Sequence, residues 1–250
     1  MDRGAKVFAI LLTLSSLAFS QELRACYKAY LFFLPVAETC ITYSKNGKTL
    51  NSESFVRTIN VGKLVKRVYN KGRAQTLLPD MEPKYFYYYQ EEGEFKREQE
   101  YVFTGKSIKV KEIKYKGLSQ EVEKREEKEY KYEGFVDPYT AGLMLYRDSA
   151  KFDKGTIKMF YDDKEYWLPF GVISKERVEV PAGVFETRVV EVHPNIETKG
   201  LLKPKGRWYL WIDEKTNLPV KMALKFVIGS ATVKLEKIEG DTNILKELSR

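Results

Sequence analysis

The segment from residue 208 to residue 235 constrains the fold more than any other part of the sequence. Apolar side chains occupy the even positions of residues 220–228, while Lys221 and Lys225 stand at odd positions. Such alternation is typical of a β-strand with one buried face. The apolar positions are Val220, Met222, Leu224, Phe226 and Ile228.

Both neighbours of this strand are also predicted to be strands. Gly229 and Ser230 interrupt the pattern, and apolar residues then resume at the odd positions of residues 231–235, as expected after a hairpin turn. On the other side, the polar residues 213–217 connect to residues 208–212, and Asn217 suits a left-handed turn position. The sequence therefore predicts three consecutive antiparallel strands.

Similar hairpin patterns fill most of the chain, so we expect a mainly β protein. Its antiparallel sheet should curve into an unclosed half-barrel or a sandwich, with one or two short helices. Asp137 as cap and Pro138 in the first turn predict one helix over residues 138–146. Residues 61–69 fit either helical spacing or a β-branched strand, and we favour a short helix. Residues 95–103 and 107–115 are highly charged, which predicts strands wet on one face that project beyond the core. Residues 121–132 could be helical by composition, but we favour an extended or loop segment.

The first 20 residues have the features of a secretory signal peptide. Arg3 and Lys6 precede an apolar run that ends in Ala18-Phe19-Ser20. Residues 21–250 should then form a single exported β-rich domain, in the periplasm or at the outer-membrane periphery of a bacterium. No later stretch is apolar for the roughly 18 residues that a membrane span needs. Lipid attachment at Cys26 is the alternative processing route.

The formal net charge is +8, which would allow contact with anionic lipids, cell-wall polymers or nucleic acid. Lysine and glutamate are interleaved along most segments, however, and no basic tract stands out. This arrangement favours a solvated surface, and we predict no nucleic-acid partner.

Cys26 and Cys40 are the only cysteines. Export would place them where disulfides persist, and they flank a predicted hairpin across which they could face each other. We predict a disulfide between them, with two buried free thiols as the alternative. Two sulfurs and one distant histidine are too few ligands for a metal site.

The sequence offers no catalytic constellation. His193 is the single histidine, beside Pro194, and no serine or cysteine motif accompanies it. Adjacent carboxylates at Asp162 and Asp163 lie between two apolar runs, as in a tight turn. No phosphate-binding glycine loop or calcium loop is present. We therefore predict no enzyme activity, no metal and no cofactor.

Aromatic residues mark the candidate binding face. If the even positions of residues 220–226 face inward, those of residues 208–212 should share that face, because paired strands present their apolar sets to one side. We predict an apolar groove there, open at one end and rimmed by Lys and Arg, suited to an acyl chain with an anionic head. A filled core is the alternative. The candidate ligand-binding residues are Trp208, Leu210, Ile212, Val220, Met222, Leu224 and Phe226.

The order of these features resembles an exported bacterial family, domain of unknown function 3108. The resemblance rests on residues 27–42, 137–147, 180–185 and 211–220. Residues 211–220 are also similar to periplasmic lipoprotein carriers, whose fold is an unclosed antiparallel barrel with helices covering its mouth. The resemblance implies this fold and an exported location, but it implies no activity.

Three functions follow in order of preference. The first is a non-catalytic envelope protein that binds a lipid or another apolar small molecule on the concave face of the sheet. The second is an envelope scaffold that holds a protein partner without a small ligand. An undetected hydrolase is third.

Overall fold

The protein is described by a computed structural model that covers residues 21–197, 205–226 and 229–249. The predicted signal peptide and Ile228 lie outside the described residues. The strands are β1 Gln21–Leu31, β2 Leu34–Asn46, β3 Thr49–Thr58, β4 Val68–Leu77, β5 Glu82–Glu92, β6 Phe95–Phe103, β7 Ser107–Tyr115, β8 Val122–Lys131, β9 Lys154–Tyr161, β10 Lys164–Val180, β11 Gly183–Val192, β12 Trp208–Asp213, β13 Pro219–Phe226 and β14 Gly229–Gly240. The helices are α1 Gly62–Val65, α2 Pro138–Asp148 and α3 Asn243–Lys246, followed by a 3-10 turn at Glu247–Ser249.

All strands belong to one antiparallel sheet, ordered β8-β7-β6-β5-β4-β3-β2-β1-β14-β13-β12-β11-β10-β9. Neighbouring strands in the sheet are also successive in sequence, with one exception. The exception is the pairing of β1 with β14, which joins two meanders. The sheet is not closed into a barrel, so β8 and β9 form its two edges. The prediction of a mainly β, curved and unclosed antiparallel sheet is confirmed.

Alternation along the strands decides which side chains fill the interior. On β4, for example, Val68, Asn70 and Ala74 are buried, while Lys71 and Arg73 lie on the outer face. Two apolar clusters occupy the concave side. One is built mainly from β5–β7 and β9–β12, the other mainly from β1, β2, β13 and β14.

Helix α2 lies in the interior between these clusters. Asp137 caps it, since its carboxylate accepts hydrogen bonds from the backbone N–H groups of Tyr139 and Thr140. Leu143 packs into the β1–β2 cluster, whereas Leu145 packs into the other one. The helix predicted from Asp137-Pro138 is confirmed, and it forms a floor inside the curved sheet.

The edges β8 and β9 approach each other through side chains and a short bridge. Val136 pairs in parallel with Met159 of β9, donating its N–H to the carbonyl of Lys158 at 3.0 Å. The Tyr130 ring of β8 lies 4.9 Å from the Phe160 ring of β9, measured between centroids. Side chains thus hold together two edges that no regular strand ladder joins.

One expectation is met in part and another needs correction. Residues 61–69 do contain a short helix, but it covers only Gly62–Val65, because β4 begins at Val68 and pairs with β3 and β5. The charged strands β6 and β7 do not project beyond the core. Their inward faces carry Tyr101 and Ile108, both of which are buried in the first apolar cluster.

Candidate functional site

A cavity of about 390 Å³ lies between α2 and the concave face of the sheet. Its floor is the α2 surface formed by Pro138, Tyr139, Ala141, Gly142, Leu145 and Tyr146. Its walls include Phe86, Tyr88, Ile157, Met159, Leu168, Val192, Trp208, Leu210, Met222 and Leu224. The lining is mainly apolar, as in most small-molecule sites.

The structure brings four of the seven predicted ligand-binding residues to this cavity. Trp208, Leu210, Met222 and Leu224 line it. Ile212 and Val220 are fully buried in the adjoining core and do not line the cavity. Phe226 ends β13, and its side chain lies outside the described residues. Whether any of these residues binds a ligand stays a prediction.

The opposite wall, from β5, was missed at the sequence level. Its even positions face inward, beginning with Phe86 and Tyr88 and ending with Gln90 and Glu92. Residues 86–92 read Phe-Tyr-Tyr-Tyr-Gln-Glu-Glu, with no alternation of apolar and polar side chains that could have revealed this wall. The inward-facing side chains of β5 therefore change from aromatic to polar along the cavity.

The polar end of the cavity is acidic. The Glu92 carboxylate is buried and accepts hydrogen bonds from Asn70 Nδ2 at 2.9 Å and Gln90 Nε2 at 2.8 Å. No Lys or Arg is among the described residues that line the cavity. The described lining thus places a buried glutamate and a glutamine at this end, and the expected basic rim stays a prediction.

The tyrosines of the lining are neutral hydroxyls. Burial raises the pKa of Tyr146 to about 12, and burial also raises the pKa values of Tyr88, Tyr139 and Tyr161. Tyr139 is additionally fixed by a 2.5 Å hydrogen bond between its hydroxyl and the Ser54 hydroxyl. These groups can donate or accept hydrogen bonds without adding charge to the cavity.

Next to the acidic end lies a buried ion-pair network centred on Arg97. Its guanidinium donates to Gln90 Oε1 at 2.7 Å, to Glu112 Oε2 at 3.1 Å and to Asp162 Oδ1 at 2.6 Å. Burial alone would lower the pKa of Arg97, but Tyr161 and the two carboxylates reverse that effect. The buried Arg97 cation is therefore matched by at least two carboxylates.

The residues considered for catalysis, His193, Asp162 and Asp163, lie in a hydrogen-bonded pair and in a turn. His193 is partly exposed, with its Nε2 2.9 Å from Glu191 Oε1. Asp162 and Asp163 form the two-residue turn between β9 and β10, and both have positive φ. In the part of the chain that the structure describes, no group of three or more His, Cys, Asp or Glu side chains is arranged to hold a metal ion.

The predicted disulfide is confirmed. Cys26 of β1 and Cys40 of β2 stand directly opposite each other in the strand register and are bonded. Their inward neighbours Ala25 and Tyr27 are buried, so the disulfide lies on the outer face. It is thus remote from the cavity wall.

The fold and the cavity together define a barrel-like antiparallel β protein with an apolar interior site. Residues 26–236 match the family described as protein of unknown function DUF3108. The chain belongs to this family, as its sequence resemblance predicted. A search of curated proteins finds no match.

The chain was also compared with solved protein structures, and several align with most of its length. A beta-barrel-like protein of domain of unknown function DUF1849 from Brucella abortus matches 88% of this chain and 98% of its own, with 14% identity and a TM-score of 0.53. A protein described as exported, with a YmcC-like fold, from Bacteroides fragilis matches 87% and 95% at 11% identity, with a TM-score of 0.31. The first likeness shows the fold alone.

The described helices were also compared with the length and apolarity that a membrane crossing requires. None of them meets both requirements.

Proposed function

We propose that this protein is an exported, non-catalytic component of the bacterial cell envelope that binds a lipid or another apolar ligand. The observation that carries the proposal is the cavity between α2 and the curved sheet. Its volume of about 390 Å³ falls within the range of natural ligand pockets, and its walls are largely apolar. The signal peptide predicted over residues 1–20 supports the exported location.

The walls suit a hydrocarbon chain. Trp208, Leu210, Met222 and Leu224 on one side face the α2 surface around Leu145 across the same cavity. Each methylene transferred from water to such a surface contributes about 0.8 kcal/mol. A chain of several methylenes would therefore supply most of the binding free energy.

The acidic end defines the preferred polar group. An anionic head beside Glu92 would meet a like charge in a water-poor site, where electrostatic repulsion is strongly felt. A cationic amine or a hydroxyl donor would instead be favoured by the carboxylate. We therefore expect amphiphiles with a cationic or neutral head to bind better than fatty acids of equal chain length.

The test uses a pair of variants on β13. Leu224→Trp enlarges a side chain that lines the cavity, whereas Lys225→Trp adds the same ring at an exposed position next to it. Binding of a fluorescent fatty amine, a fatty alcohol and a fatty acid of one chain length is measured by titration. The first variant should abolish binding of every probe, and the second should leave binding unchanged.

Two results would contradict different parts of the proposal. Stronger binding of the fatty acid would overturn the head-group preference and leave the apolar site intact. Equal binding by a folded Leu224→Trp variant, together with no lipid in native mass spectra of protein from its own envelope, would favour the scaffold function.

A further inference from the structure

We propose that two loops at one end of the sheet form a docking site for the surface of an anionic lipid bilayer. The site, here the docking tip, consists of the β1–β2 turn and the α1 connection between β3 and β4. Phe32 and Phe33 in the turn are 91% and 81% exposed, and Leu64 and Val65 in α1 are 86% and 77% exposed. The inference stands apart from the proposed function, because it concerns the outer surface and not the cavity.

The two loops are held against each other. Ile59 donates its N–H to the Val36 carbonyl at 2.9 Å, and a Cβ at Gly62 would lie 2.1 Å from the same oxygen. Asn60 Nδ2 also donates to the Pro35 carbonyl at 3.5 Å. The exposed apolar side chains therefore belong to one joined surface, and Leu31, Leu34 and Val61 are exposed beside them.

The backbone at Phe32 is unfavourable for a bulky residue. Its φ is 56°, in the left-handed region that glycine and asparagine adopt more easily. Holding an exposed phenylalanine there stabilises no part of the core. A ring that enters the interfacial region of a bilayer would compensate for this, because aromatic side chains are favoured at that depth.

The charge around the docking tip identifies the partner. Residues 59–67 contain Lys63, Lys66 and Arg67, and neither this segment nor residues 29–36 contains Asp or Glu. Lys28, further along β1, is paired with Glu236 and is not counted with them. Lys63 and Arg67 are exposed. Basic residues beside apolar ones are the combination that binds anionic bilayers, each cation contributing about 1 kcal/mol near the surface.

The docking tip adjoins the acidic end of the cavity. Gly93, which follows Glu92, donates its N–H to the carbonyl of Arg67 at 2.7 Å. In the strand register Glu92 lies opposite Val68, which follows the α1 connection. A bilayer bound at the docking tip would therefore lie at the same end of the sheet as Glu92.

Co-sedimentation with vesicles tests the proposal on the full mature protein. Vesicles of phosphatidylcholine alone are compared with vesicles that also contain phosphatidylglycerol, at low and high salt. We expect binding to the anionic vesicles and a loss of binding at high salt. Leu224→Trp should bind vesicles like wild type, which separates docking from occupancy of the cavity.

Three variants of the docking tip are compared with one control. Phe32→Asn with Phe33→Ser, and separately Leu64→Ser with Val65→Ser, should each reduce vesicle binding about tenfold or more. Lys63→Glu with Arg67→Glu should reduce binding to anionic vesicles by at least about thirtyfold, because two cations are lost and two like charges are added. Phe152→Ser removes a ring that is exposed on the α2–β9 connection and should leave binding unchanged.

Thermal unfolding confirms that each variant is folded, and asparagine suits the left-handed backbone at position 32. The proposal is overturned if wild type does not sediment with anionic vesicles, or if the folded apolar variants bind like wild type. A concentration-dependent dimer that Phe32→Asn with Phe33→Ser dissociates, without vesicle binding, would assign the docking tip to a second copy of the chain.

Discussion

The sheet is brought together at two places that differ in kind. Where β1 meets β14, the backbones pair over eight residues of each strand, from Leu23 opposite Gly240 to Tyr30 opposite Thr232. Where β8 meets β9, the described residues are joined by the Val136–Met159 bridge and by side chains. We call these the backbone seam and the side-chain seam.

The side-chain seam depends on particular residues. Arg97 of β6 binds Asp162 in the β9–β10 turn, and Lys128 of β8 binds Asp163 in the same turn at 2.5 Å. Tyr101 also reaches the turn, its hydroxyl accepting the N–H of Asp162 at 3.2 Å. Backbone pairing is available to almost any sequence, whereas this seam is lost if a few side chains change.

The largest expected effect is at Arg97. Replacing Arg97 by Met leaves Glu112 and Asp162 buried without the guanidinium, so the free energy of unfolding should fall by about 3–5 kcal/mol. Lys128→Ala is the matched control in the same seam, since its ion pair is partly exposed and should contribute less than about 1 kcal/mol. Chemical denaturation measures both, and equal losses would show that burial does not decide the strength of this seam.

The disulfide provides the second test, on the β1 side of the sheet. Replacing Cys26 and Cys40 by Ala releases a loop with a sequence separation of 14, which should lower the free energy of unfolding by roughly 3 kcal/mol. Cavity binding should persist, because the disulfide is on the outer face. Denaturation with and without reductant measures the loss. Two alkylated thiols in unreduced protein from the envelope would contradict the bond itself.

The smallest effect is the pH dependence from Asp137, which follows Val136 of the β-bridge and caps α2. Burial raises its pKa to about 6, above the usual value near 3.9 in an unfolded chain. The stability that the protonated form provides is therefore present below about pH 4 and is lost as the pH rises through 6. From pH 7 to pH 5 this group should add roughly 1 kcal/mol to the free energy of unfolding.

Asp137→Asn isolates this contribution, because the amide oxygen can still accept from Tyr139 and Thr140 but does not ionise. The difference between wild type and variant is measured by denaturation at several pH values. A difference that does not change with pH would show that Asp137 is not the titrating group.

Much of the fold was predictable from local patterns. The alternation over Val220, Met222 and Leu224 predicted the inward face of β13, and Asp137 with Pro138 predicted α2. Asn217 has a φ of 61°, as its turn position required. Residues 61–69 were harder, because pairing of Tyr69 with Arg57 overrides helical spacing there.

The site was predictable on one side only. Trp208 and Leu210 share a face with β13 by parity, which is a local property. Glu92 lies at the same cavity because the sheet curves, and no local sequence pattern specifies that curvature. The burial of Arg97 was harder still to predict, because its carboxylate partners lie 15 and 65 residues away in sequence. From the sequence, the charged residues of this region were expected on a solvated face.

The backbone seam has a consequence for how the chain reaches its native state. Lys28 of β1 pairs with Lys234 of β14, more than 200 residues later, while the other strand pairs are between successive strands. Closing so long a loop is entropically unfavourable until other contacts have formed. The β1–β8 and β9–β14 meanders can form from local hairpins, and their union is expected to be a late, slow step in folding.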